Sequence, residues 1–136
     1  MIIDFYIVEA NTQQTEMYAC RLLNKIYQQQ RTALVVTADH SQSMRFDQLL
    51  WTFDDSSFIP HALAHEADAP IIIHHEDTFK KHILVNLSGN MLQDLAGFER
   101  IIELIPQEAT LRDRARERYR KYREIGCELS THKIKV

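Results

Sequence analysis

A chain of 136 residues, 45% hydrophobic and 26% charged, holds enough apolar material for one domain with its own core. Its net charge of −3 and isoelectric point near 6.1 argue against a surface built wholly for nucleic acid. No Gly-, Ser- or Pro-dominated stretch marks a linker, and no apolar run approaches the roughly 20 residues that span a bilayer, so the expectation is a single cytoplasmic domain over 1–136, with no membrane partner.

Residues 2–8 are apolar, β-branched and aromatic, and read as a buried strand. They carry no basic leader. The turn that follows, Glu9-Ala10-Asn11-Thr12-Gln13, lacks glycine and starts with a carboxylate. A phosphate cradle needs backbone close to the anion at a helix N-terminus, so a nucleotide-binding loop is not expected here. From about residue 15 to 30 the spacing predicts a helix, its inner face drawn from Tyr18 or Ala19, Leu22 or Leu23, and Ile26 or Tyr27. Cys20 and Cys127 stand near opposite ends of the chain, too few for a disulfide framework, and are expected to be reduced and structural.

Residues 33–37 form a second strand, after which Asp39 or Ser41 can cap a helix carrying Phe46, Leu49 and Leu50. Trp51, Phe53 and Phe58 then flank the polar turn Asp54-Asp55-Ser56-Ser57, an arrangement that displays at least one ring at a loop. Seven histidines are many for this length. His61 and His65 are four apart, and His74-His75 precede Glu76-Asp77, donors from which a zinc or nickel site could be assembled, but none is expected. Pro60 opens a segment of uncertain structure, adjacent histidines on a strand point to opposite faces, and no cysteine joins either pair. Short apolar runs at 71–73, 83–87 and 101–105 are further strands. Alternation of strands and helices predicts an α/β fold: an open, mostly parallel sheet with helices on both faces. Serines without a nucleophile-elbow motif and cysteines without a reactive context predict no enzyme and no cofactor.

The last predicted element is a basic helix. Residues 107–125 hold seven Arg/Lys and four Asp/Glu, a local balance of +3 in a chain of −3, leaving −6 for the remainder. At about 100° per residue, Leu111, Ala115, Tyr122 and Ile125 share an apolar sector with Tyr119 at its margin. Beyond Tyr119 lie Arg112, Arg123, Arg116 and Arg120. Intrahelical pairs such as Asp113 with Arg116 or Glu117 with Lys121 are worth only a few tenths of a kcal/mol and do not account for the one-sided charge. A phenol beside an arginine row suits an acidic ligand that also carries an apolar group.

The run Ile105-Pro106, Leu111-Arg112, Ala115-Arg116-Glu117-Arg118-Tyr119 and Tyr122-Arg123 resembles the C-terminal signature of the chi subunit of bacterial DNA polymerase III. Leu50-Trp51 followed by Ser57-Phe58-Ile59-Pro60-His61 resembles the same family, as do the Phe5-Tyr6 strand and the order of blocks. The resemblance implies a single chi-like domain of layered, Rossmann-like architecture and a noncatalytic accessory role in the clamp-loader assembly during DNA replication. It also implies two partners. Trp51 and Phe58 match positions that dock the psi subunit, a surface where a helicase competes. Ile105, Arg112, Arg116 and Tyr119 match positions that bind the acidic C-terminal tail of single-stranded DNA-binding protein, which ends in a phenylalanine with a free carboxylate. The resemblance gives Ile105 and Tyr119 the apolar pocket, Arg116 the carboxylate and Arg112 the preceding aspartates. The family often has lysine at the position of Arg112. The alternative reading is a direct nucleic-acid-binding domain using the basic helix, without sequence specificity.

Overall fold

The computed structural model describes residues 1–56, 58–64, 68–76 and 80–136. Ser57, His65 and Asp77, named above, lie outside the described residues. The chain runs β1 (Ile2–Val8), α1 (Thr12–Gln28), β2 (Ala33–Val36), α2 (His40–Thr52), β3 (His61–Leu63), β4 (Ile71–His74), β5 (Ile83–Asn86), β6 (Arg100–Ile105), α3 (Ala109–Glu124) and β7 (Glu128–Ile134). The strands form one sheet in the order β3-β4-β2-β5-β6-β1-β7, and every pairing is parallel.

Central strands buried on both faces are built mainly of apolar residues, and Ala33–Val36 and Ile71–His74 are buried at every position. On one face α1 and α2 set Ala19, Leu23, Phe46 and Leu50 against Val35, Ile73 and Ile102. On the other, α3 sets Ala115 and Tyr122 against Phe5, Leu84 and Ile101, with Leu92 and Phe98 completing the layer. The expected two-faced α/β sheet is therefore present, and it is wholly rather than mostly parallel.

Several details differ from the sequence reading. Helix α1 starts at Thr12, three residues before the expected point, because Asn11 and Gln14 form a capping box: Asn11 Oδ1 accepts from the Gln14 amide at 2.8 Å and Gln14 Oε1 from the Asn11 amide at 3.2 Å. Of the two possible caps for α2, Asp39 serves, its carboxylate accepting from the Gln42 amide at 2.8 Å. The strands β3 and β7 were not anticipated. Both are sheet edges, where a strand needs no continuous apolar run. Ile125, placed on the apolar face of the basic helix, is 63% exposed. The helix ends at Glu124 and Gly126, at φ +94°, redirects the chain into β7, so helical spacing no longer applies.

Candidate functional site

Helix α3 crosses the sheet so that one flank overhangs β1 and β7. Between them runs an open groove of about 410 Å³, with Phe5 and Ile7 of β1 and Thr131 of β7 below, and Arg112, Ala115, Arg116, Tyr119, Arg120 and Arg123 of α3 alongside. Its floor follows from strand alternation, because Ile3, Phe5 and Ile7 share the face that meets α3. Phe5 packs edge-on against Tyr119 at 5.2 Å between ring centres and against Tyr122 at 6.1 Å. The Arg123 guanidinium lies 5.1 Å from the Tyr119 ring centre. The groove thus joins an aromatic surface to a row of guanidinium groups.

Those cations are not equivalent. Arg112 donates Nε to the Pro106 carbonyl at 3.0 Å and a terminal nitrogen to the Val8 carbonyl at 3.2 Å, which ties it to the ends of β6 and β1. Arg116 pairs with Asp113 at 2.6 Å, both side chains being well exposed, so the pair is weak and readily exchanged for another carboxylate. Arg120 and Arg123 have no carboxylate partner among the described residues. Three of the four residues expected to act together, Arg112, Arg116 and Tyr119, do line the groove. Ile105 does not. It is 1% exposed, paired with Ile7 across β6 and β1, and supports the floor from within the core.

Arg118 was missed. It falls inside the apolar sector of α3, between Ile125 and Leu111 on the helical wheel, and an arginine there signals a buried acidic partner. That partner is Glu103 of β6, fully buried, at 3.1 Å. Arg118 also donates to the Gly89 carbonyl at 2.7 Å, while Asn86 and Tyr122 donate to Glu103 at 2.9 Å each. Burial pushes the Glu103 carboxyl above its ordinary range, and Arg118, Asn86 and Tyr122 pull it back. Burial likewise pushes the Tyr122 phenol up, so it remains a donor. This network fixes the seating of α3 on the sheet.

The aromatic pair lies at the opposite edge of the molecule. Trp51 near the end of α2 is 50% exposed and Phe58 is 66% exposed, with ring centres 5.7 Å apart. His61, opening β3, backs Trp51 at 4.6 Å; its Nδ1 meets the Ile59 carbonyl at 2.7 Å and its Nε2 lies 3.3 Å from Asp47. These rings flank the indole, which stays half exposed.

The N-terminus of α1, where a doubly wound sheet would bind phosphate, is satisfied from within: Glu108 accepts from the Thr12 amide at 3.1 Å and from its hydroxyl at 3.0 Å. His74 and His75 do not diverge as expected, their ring centres being 4.5 Å apart, because β4 ends at His74 and strand alternation stops there. Among the described residues no three His, Cys, Asp or Glu gather as metal ligands, and no helix is long and apolar enough to cross a membrane.

A family model described as DNA polymerase III chi subunit, HolC, matches residues 1–130. The chain is 34% identical to the DNA polymerase III subunit chi of Pseudomonas aeruginosa, over 97% of this chain and 96% of that protein. It is 31% identical to the same subunit of Haemophilus influenzae (96% and 95%) and 28% identical to that of Escherichia coli (93% and 94%). The crystal structure of T4 UvsW aligns with a TM-score of 0.67 over 98% of this chain and 42% of that one; at 11% identity this likeness concerns the fold alone. The agreement over nearly the whole length means that the chain belongs to the DNA polymerase III chi subunit family, accessory subunits of DNA replication.

Proposed function

We propose that the protein is a noncatalytic adaptor that bridges the psi subunit to the acidic C-terminal tail of single-stranded DNA-binding protein. The observation that carries this reading is the separation of two unlike surfaces on one sheet. The aromatic pair adjoins β3 and the cationic groove adjoins β7, which are opposite edges of seven strands. Six spacings of ~4.8 Å put those edges about 29 Å apart. Two partners can therefore be held at once without touching.

Trp51 and Phe58 supply the half-exposed rings that dominate protein interfaces. In the groove, the terminal phenyl ring of the tail lies against Phe5, Ile7 and Tyr119, with Ile105 supporting the floor. Arg116 exchanges Asp113 for the terminal carboxylate, Arg120 and Arg123 face the upstream aspartates, and Arg112 holds the groove's end in place. The tail binds in the micromolar range, about −8 kcal/mol at 1 μM. Because the cations are exposed, affinity falls as salt shortens the Debye length from its ~8 Å at 0.15 M.

The test is a titration of labelled tail peptide. Arg116→Ala is expected to weaken binding about tenfold or more, since a hydrogen bond to a charged group contributes roughly 1.5–3 kcal/mol. Unchanged affinity would place the tail elsewhere. A salt-sensitive shift of single-stranded DNA by the protein alone, lost in Arg120→Ala, would favour the direct nucleic-acid reading.

A further inference from the structure

We propose that the open edge of β7 pairs with the main chain of an acidic peptide, which joins the sheet as an eighth strand while its side chains enter the groove. The inference rests on the reading of that groove as an acidic-peptide site. It begins with the hydrogen bonds that fix β7. The Glu128 amide donates to the Met1 carbonyl at 2.9 Å, and the Ile134 carbonyl accepts from the Glu9 amide at 2.8 Å. In a strand the N–H and C=O of one residue point to the same side, and the side alternates along the chain. The even-numbered residues Glu128 to Ile134 therefore bond inward to β1. Leu129, Thr131 and Lys133 direct their amides and carbonyls outward, and among the described residues no strand lies beyond them.

The side chains of these same residues are on the face that carries the groove. Thr131 lines it, Leu129 packs with the α3-side core, and Lys133 is in register with Ile7. In-register neighbours in a sheet share a face, so every second residue of an added strand would be directed into the groove. Charge identifies the occupant. Arg116, Arg120 and Arg123 border the groove and Lys133 sits on the strand itself. A second copy of β7 would bring its Lys133 against the same charges, the usual safeguard against self-pairing, whereas an acidic strand is attracted. Main-chain pairing supplies affinity and alternate side chains supply specificity, as in other strand additions.

The experiment uses the full-length chain and a synthetic Asp-rich peptide ending in phenylalanine with a free carboxylate, made in two N-methylated series. One series is methylated at one set of alternate upstream amides, the other at the intervening set. One series should lose about tenfold or more in affinity while the other stays close to the unmethylated peptide. Hydrogen exchange should slow at the amides of Leu129, Thr131 and Lys133 on binding. If Arg116→Ala weakens binding but both series bind alike and those amides exchange as before, strand addition is overturned and the groove reading stands. If the unmethylated peptide does not bind, both fall. A peptide-free dimer paired through β7, unaffected by peptide, would assign the edge to a second copy and also overturn the proposal.

Discussion

Glu103 is fully buried, and its charge is tolerated only because Arg118 reaches it from α3 and two neutral donors complete its shell. Desolvation of both ions offsets most of their attraction, so the pair adds little net stability, yet removing one partner leaves an uncompensated charge in the core. Arg118→Ala is accordingly expected to destabilise the fold by about 3–5 kcal/mol, a large share of the 5–15 kcal/mol typical of a domain. Urea denaturation measures this directly, and a loss below about 1 kcal/mol would show that the buried carboxylate has another outlet. The same substitution should degrade the groove, because α3 is seated by this contact and carries most of the groove's polar wall. By contrast Arg116, exposed and paired only with Asp113, can be replaced with little effect on stability.

Among the elements, β7 depends on contacts outside its own sequence. It is an edge strand, largely polar, held by β1 and by the Asp4 carboxylate, which accepts a short hydrogen bond from Ser130 and lies 3.8 Å from His132. Arg100 reaches the same carboxylate at 2.6 Å and the Tyr6 hydroxyl at 2.7 Å. Burial alone would raise the Asp4 pKa, but the bonds from Ser130 and Arg100 outweigh it and hold the carboxyl below its ordinary 3.8. A depressed carboxyl pKa contributes stability that is present above 3.8 and is lost as pH falls through the lower folded value. The stability difference between the wild type and Asp4→Asn should therefore be largest near neutrality and shrink below pH 3.8, with β7 amides losing exchange protection over the same range. A constant difference down to pH 2 would mean that Asp4 does not titrate with the fold.

For the whole molecule, the sheet acts as a spacer on the proposed adaptor reading. Trp51 and Arg116 belong to elements at opposite edges and share no neighbour among the described contacts, so their effects should be independent. Sites this far apart add within about 0.3–0.5 kcal/mol. On the proposed adaptor reading, Trp51→Ala should cost at least ~2 kcal/mol in psi affinity while leaving the affinity for the acidic peptide unchanged, and the double variant should show the sum; calorimetry with each proposed partner separately would expose any coupling. Much of this was legible in the chain. Central strands must be apolar on both faces, and a helix must repeat every 3.6 residues, so the parallel α/β class, the central elements and the arginine row beside Tyr119 follow from local pattern alone. Edge strands obey no such rule, which is why β3 and β7 were silent in the sequence. The partner of Arg118, the withdrawal of Ile105 into the core and the groove itself required the tertiary structure. Its floor comes from Phe5 and Ile7, its outer rim from Thr131 and its cations from α3, parts that only the pairing of β1 with β7 and the crossing of α3 bring together.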